Sequence, residues 1–216
     1  MCCLKYLFAI FTFCFVSANI VFAGELAGKP KDYSIPLIGL AGETHRQIIV
    51  DKEPGAIRSP NGKQIALLLR ENSRKYNSFV IFSNDEGRSW TKPIELTGAL
   101  TGDRHTGRYA PDGRLFITFR DTTHESPTKG DWIGWVGTYE DIVNGRQGQY
   151  RVRLMDNHKA ADCAYPGLEL LPDGTFVTTT YGHWIKGESP FIMSVRFKLE
   201  EIDAKAHSIN SKEILR

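Results

Sequence analysis

The sequence predicts an all-β chain assembled from about three copies of a four-stranded antiparallel unit. The first observation is a turn that occurs three times, as Ser59-Pro60-Asn61-Gly62, Ala110-Pro111-Asp112-Gly113 and Leu171-Pro172-Asp173-Gly174. In each, proline presets a turn dihedral, the Asx side chain bonds nearby backbone, and glycine supplies a positive φ. The second observation is the character of the segment after each turn. Gln64 to Arg70, Arg114 to Arg120 and Thr175 to Tyr181 are rich in apolar and β-branched residues, so each turn reads as the tip of a β-hairpin. The third is spacing: the Asx positions lie 51 and then 61 residues apart, room for four short strands and their connections.

The remaining strands fill these units. Phe79 to Ser83 and Ile94 to Leu96 complete the first. Trp132 to Tyr139 and Tyr150 to Leu154, with a Gly/Asn/Gln loop between them, complete the second, and Phe191 to Lys198 extends the third. Helix is predicted only for Leu199 to Lys205, and a polar tail occupies His207 to Arg216. Units of this length arranged around an axis are the blades of a β-propeller, which closes with four to eight of them. Three blades leave unpaired sheet edges. Either a second copy of the chain completes the ring as a homodimer, or the chain corresponds to half of a larger protein. A smaller open stack of sheets is the alternative.

Residues 1–23 read as a secretory signal peptide: Lys5 is the only charge before Glu25, Leu7 to Ala23 is mostly apolar, and Val21-Phe22-Ala23 suits cleavage before Gly24. A membrane anchor is the rival reading, but the apolar run is short and broken by Ser17 and Asn19. A secreted or periplasmic protein is therefore expected, with one domain over residues 24–206 and no membrane attachment after cleavage. Cys2, Cys3 and Cys14 leave with the signal, so Cys163 has no partner for an internal disulfide. The formal net charge of +2 falls by one with the loss of Lys5, which gives no basis for binding nucleic acid or membrane surfaces. No Cys/His pattern has metal-ligand spacing, and no metal or cofactor is expected.

Two patterns bear on function. Ser83-Asn84-Asp85-Glu86-Gly87-Arg88-Ser89-Trp90 has the form Ser-x-Asp-x-Gly-x-Ser/Thr-Trp, an Asp box. Asp85 is expected to bond the backbone after it, Gly87 to take positive φ, and Trp90 to pack beneath the turn, with Ser83 and Ser89 completing a structural staple. The second pattern emerges on counting from the turns. Eight residues before the Asx positions lie Glu53, Arg104 and Tyr165, and eight or nine after them lie Arg70, Arg120 and Tyr181. If the units are blades, these positions meet at one end of the ring. There they would gather a carboxylate, several guanidiniums and two phenols. Arginines suit bidentate binding of a carboxylate, and a phenol beside a base can attack an electrophilic carbon.

The Asp box and these residues together resemble the sialidase family, whose members are six-bladed propellers. In that family a tyrosine is the nucleophile, a glutamate activates it, three arginines grip the substrate carboxylate and an aspartate is the acid/base; sialidases depart in this from the two-carboxylate glycosidase scheme. The resemblance spans roughly residues 43 to 205 and is to the C-terminal half of a secreted sialidase-like protein. Glu53-Pro54 followed by the strand ending in Arg70 looks like the family's glutamate-then-arginine segment, and Ala164-Tyr165-Pro166-Gly167-Leu168 like its nucleophile segment. By resemblance, Tyr165 is the nucleophile and Glu53 its base. Arg70 and Arg120 bind the carboxylate, with Arg104 and Tyr181 as weaker substrate-binding candidates. The ligand expected is a sialic acid-like glycan.

Parts of the family pattern are missing. The chain has no Tyr-Arg-Ile-Pro segment for the first arginine and no early blade for the acid/base aspartate, leaving only Asp121 and Asp162 as substitutes. Glu43 to Asp51 looks like the opening strand of such a protein joined directly to a middle blade, as an internal deletion would leave it. Three functions are expected in consequence: an exo-sialidase-type glycoside hydrolase, a non-catalytic carbohydrate-binding module, or an inactive remnant. Plainer roles stay open for single residues. A strand-end arginine is usually a solvated charge, Tyr165 could be an ordinary core tyrosine, and Trp132, Trp135 and Trp184 fill core or rim.

Overall fold

The three Pro-Asx-Gly turns adopt one geometry in the computed structural model, which describes residues 55–214. The signal segment, the strand expected at Glu43 to Asp51 and Glu53 lie outside these residues. In each turn the glycine amide donates to the carbonyl oxygen three residues back: Gly62 to Ser59 (2.9 Å), Gly113 to Ala110 (3.0 Å) and Gly174 to Leu171 (3.0 Å). The Asx side chain accepts from the backbone two residues on, at Lys63, Arg114 and Thr175. The glycines have φ of 75°, 85° and 81°. A repeated local sequence has produced a repeated local structure.

Each turn joins the first two strands of an antiparallel sheet. The first sheet contains β1 (Gly55–Arg58), β2 (Ile65–Leu69), β3 (Phe79–Ser83) and β4 (Ile94–Glu95) in sequential order. The second repeats that order with β5 (Gly102–Tyr109), β6 (Leu115–Asp121), β7 (Trp132–Gly137) and β8 (Tyr150–Met155). The third holds β9 (Gly167–Leu170), β10 (Phe176–Gly182) and β11 (Phe191–Phe197), three strands among the described residues. The first strands of successive sheets, β1, β5 and β9, contact one another in turn. They approach closely: a Cβ at Gly55 would lie 2.3 Å from the His105 carbonyl oxygen. The fold is an all-β partial propeller of three blades, as the sequence predicts.

Apolar side chains cement neighbouring blades. Leu68, Val80 and Phe82 of the first share a buried cluster with Ile117, Phe119, Ile133 and Trp135 of the second. Phe116 and Val136 of the second share another with Leu168, Phe176 and Phe197 of the third. Trp132 is fully buried, donates to the Thr118 hydroxyl (2.7 Å) and lies beside Trp184 (centroids 5.8 Å). All three of Trp132, Trp135 and Trp184 are therefore core residues. Cys163 is buried, its thiol donating to the Gly130 carbonyl, and burial pushes the thiol up to about 12, so it is inert at neutral pH.

Two helical features differ from expectation. The β7 strand stops at Gly137, because Thr138 caps a short helix, α1 (Tyr139–Val143), through a reciprocal capping box with Asp141. The Thr-x-x-Asp signal is present in the sequence. The terminal helix α2 (Leu199–Ile214) continues well past Lys205 into the polar tail. No glycine or proline interrupts that stretch. Leu199 and Ile202 pack it on the second and third blades, and Asp203 accepts two hydrogen bonds from Arg114 (2.9 and 2.8 Å).

The Asp box connects β3 to β4 at the same end as the Pro-Asx-Gly turns. Asp85 Oδ1 accepts from the Ser83 hydroxyl and the Ser89 amide (both 2.8 Å), and Oδ2 from the Ser89 hydroxyl (2.6 Å). The Gly87 amide donates to Ser83 Oγ (2.8 Å), Gly87 has φ 81°, and Trp90 Nε1 donates to the Gly87 carbonyl (3.1 Å). The Ser89 hydroxyl is the main cause that lowers the Asp85 carboxyl to about 2. A carboxyl lowered on folding stabilises above its usual value of about 3.9 and loses that contribution as pH falls through its folded value. Asp85→Ala is expected to lower the thermal midpoint at pH 7, and the deficit to shrink as pH is taken towards 2, measured by circular dichroism melts.

Candidate functional site

In an antiparallel hairpin the residue entering the first strand faces the residue leaving the second. The counted positions before and after each turn therefore meet at the end of the blades opposite the turns and the Asp box. Arg70 follows β2, Arg104 lies near the start of β5, Arg120 near the end of β6, Tyr165 just before β9 and Tyr181 near the end of β10. Glu53, the sixth position, lies outside the described residues.

Arg70 and Arg120 do come together, and they do so on a carboxylate of the protein itself. Asp103 is fully buried. It accepts hydrogen bonds from Arg120 Nε (3.2 Å) and Nη2 and from both terminal nitrogens of Arg74 (2.8 and 2.9 Å), and it forms an ion pair with Arg70, whose Nε lies 3.4 Å away. Burial pushes the Asp103 carboxyl up, but the hydrogen bonds from Arg74 and Arg120 outweigh it and hold the group below the usual range. Arg120 is only 6% exposed, and its Nη1 donates to the Ala161 and Cys163 carbonyls. This modifies the expected role: Arg120 clamps Asp103 and the loop carrying Tyr165. The side chains of Arg70 and Arg74 reach the surface more, at 24% and 38% exposure.

A second group of residues adjoins the first. The Arg104 guanidinium lies over the Tyr165 ring and donates to its hydroxyl. Tyr165 is 56% exposed, which rules out the core-tyrosine reading, and stacks on Tyr181 (5.8 Å between centroids, 24° between planes). Tyr181 donates to Asp162 Oδ1 (3.2 Å), while Asp162 Oδ2 meets His183 Nε2 (3.0 Å). Burial and then the Asp162 bond raise the Tyr181 phenol, whereas Asp162 is held below the usual carboxylate range chiefly by His183. The Tyr165 amide donates to Thr180 Oγ1 (2.8 Å), tying its loop to β10.

Among the described residues, four of the five non-glycine residues with positive φ lie at the same end, Glu86 of the Asp box being the exception. Arg74, Arg104 and Ala164 have φ of 59°, 63° and 58°, a region that costs non-glycine residues about 1–3 kcal/mol each. Arg104 lies within a register shift of β5 between Asp103 and Thr106. Neighbouring strand residues normally point to opposite faces. The bulge with a left-handed residue lets Asp103 take the arginines while Arg104 takes Tyr165.

Asp121, one of the substitute acids, does not fit that role. It is fully buried, accepting from the Ser126 and Thr128 hydroxyls (2.6 and 2.7 Å) and from Arg151, and it organises its own loop. Among the described residues no group of three His, Cys, Asp or Glu side chains could hold a metal ion, and no helix is long and apolar enough to cross a membrane.

No protein-family model and no curated protein match the chain. Among solved structures, it is similar to a protein of unknown function from Dyadobacter fermentans, with 15% identity, a TM-score of 0.54, and coverage of 66% of this chain and 36% of that one. Looser likenesses are to a xylan β-1,4-xylosidase from Bacillus halodurans (11% identity, 69% and 30% coverage, TM-score 0.41) and to GH43B of a Bacteroides ovatus xyloglucan locus (10%, 67% and 26%, 0.44). At such identities the likeness concerns the fold alone. The chain spans about a third of the length of these solved chains. The fold defines the class, a partial β-propeller, while the sialidase reading rests on the sequence motifs.

Proposed function

We propose that the arginine–tyrosine end of this propeller binds an acidic sugar and that its reaction is exo-sialidase-type glycoside hydrolysis. The observation that carries this reading is the meeting of equivalent positions from three blades: Arg70, Arg104, Arg120, Tyr165 and Tyr181 gather at one end through Asp103 and the stacked tyrosines. In the reaction, Tyr165 Oη would form a bond to the anomeric carbon as the glycosidic C–O bond breaks. The Tyr165 proton passes to Glu53 and the departing oxygen takes up a proton from bulk water; a water molecule then adds its hydroxyl to the anomeric carbon and returns a hydrogen to Tyr165 Oη. Arg104 positions the Tyr165 hydroxyl, Arg70 and Arg74 face the sugar carboxylate, Arg120 and Asp103 hold that cluster in place, and Glu53 is the base.

A second reading, a binding module without turnover, is favoured by one observation. The leaving oxygen needs a proton donor, yet Asp103, Asp121 and Asp162 are each held ionised at neutral pH.

Hydrolysis of a fluorogenic sialic acid glycoside separates the two. Turnover by the purified chain that Tyr165→Phe lowers on the order of a thousandfold or more is the expected result. Saturable sialoside binding without turnover would support the binding module. Absence of both from folded protein would overturn both readings.

A further inference from the structure

We infer that the cleft beside Asp162 is a second saccharide subsite, which holds the neutral sugar attached to the acidic one; this rests on the acidic-sugar reading above. The cleft has a volume of about 420 Å³, within the range of small-ligand sites. His158 and Lys159 from the β8–β9 loop form one wall, and His183, Glu188, Ser189 and Pro190 from the β10–β11 loop form the other. Both loops lie at the site end of the blades, because β8 leads into β9 and β10 into β11 there.

Contiguity with the tyrosines is given by one carboxylate. Asp162 accepts from the Tyr181 hydroxyl on one oxygen and meets His183, a wall of the cleft, on the other. Tyr181 in turn stacks on Tyr165. Asp162 itself does not line the cleft, but it joins Tyr181 to His183 and Lys159, which do, so the cleft opens one side chain beyond the stacked tyrosines. The walls are preformed: the His158 amide donates to the His183 carbonyl (2.9 Å), the His183 amide to Asn157 Oδ1 (3.1 Å), and Trp184 is buried against Trp132.

The lining selects a polyol over an ion. Lys159 is paired with Asp162 (3.4 Å), and Glu188 adds a carboxylate, so the cleft has no single dominant charge. Imidazole, ammonium, hydroxyl and carboxylate groups offer donors and acceptors together, as sugar hydroxyls require. Pro190 and Ile185 supply apolar surface for a sugar's C–H face.

The test compares methyl α-sialoside with sialyllactose by calorimetric titration, on a Tyr165→Phe background so that neither is consumed. Sialyllactose is expected to bind about tenfold more tightly, the equivalent of one or two added hydrogen bonds. Ser189→Trp, which fills the cleft from an exposed position, is expected to abolish that gain and leave methyl sialoside binding unchanged. His158→Ala should remove part of the gain, without adding bulk. Equal affinities for the two ligands, or a gain that survives Ser189→Trp, would overturn the subsite while leaving the acidic-sugar reading intact. Failure of both ligands to bind would overturn the subsite together with that reading.

Discussion

Asp103→Asn is expected to destabilise the protein by about 3–5 kcal/mol at neutral pH, the usual cost of removing one partner from a buried ion cluster. The side chain is fully buried and receives Arg70, Arg74 and Arg120. Loss of its charge leaves guanidiniums facing one another with no carboxylate between them. An asparagine oxygen can still accept a hydrogen bond, so the deficit is chiefly electrostatic. The pH dependence distinguishes this cause from a packing defect. Because Asp103 is held below the usual carboxylate range when folded, its contribution is complete above the unfolded value of about 3.9 and is lost as pH falls through the folded one. Urea unfolding at pH 7 should show the full difference between variant and wild type. The difference should narrow as the wild-type carboxyl protonates at low pH. A gap that stays constant from pH 7 down into the acid limb would mean that the charge of Asp103 is not what holds the cluster.

The same residue marks where sequence reasoning ends. The hairpins are legible because Pro-Asx-Gly turns act locally: side-chain acceptor, amide donor and positive-φ glycine lie within four residues of one another. Once the hairpins are known, Arg70, Arg104, Arg120, Tyr165 and Tyr181 are reached by counting, since an antiparallel pair returns to the level at which it began. Asp103 is not reached by counting. It precedes a counted position and on a regular strand would face away from it. Only the irregular register between Asp103 and Thr106, with Arg104 left-handed, turns both neighbours toward the site. Arg74 escapes sequence reasoning for a related reason, because it lies in a loop whose course is set by Glu71 accepting from the Ser73 and Lys75 amides. The burial of Arg120 is equally hidden, since it depends on carbonyls of Ala161 and Cys163 some forty residues away. Thr138 and Asp141, by contrast, carry a readable capping signal that the apolar run before them obscures.

Phe116→Ala is expected to cost about 3–5 kcal/mol, as for other large-to-small core substitutions, and the form of its unfolding curve is as informative as the midpoint. Phe116 belongs to β6 but packs across the blade boundary, its ring centroid 5.3 Å from Phe176 and 4.9 Å from Phe197, which themselves stack at 5.5 Å. It is fully buried, and its cluster includes Leu199, the first residue of α2. In an array whose units touch only their neighbours, stability is approximately a sum of unit and interface terms. A residue that serves an interface then controls cooperativity as well as stability. In the wild type, side-chain packing runs from the first blade to the second through Ile117 and Phe119, and from the second to the third through Phe116. Truncation of Phe116 should therefore uncouple the third blade. The expected result is a first transition reported by the Trp184 environment, followed by a second for the remaining two blades, where wild type shows one. Trp184 belongs to the third blade and contacts Trp132 of the second, so its fluorescence reports their separation. If Phe116→Ala merely shifts a single sharp transition, the Trp132, Cys163, Ala164 and Trp184 cluster is by itself enough to couple the blades.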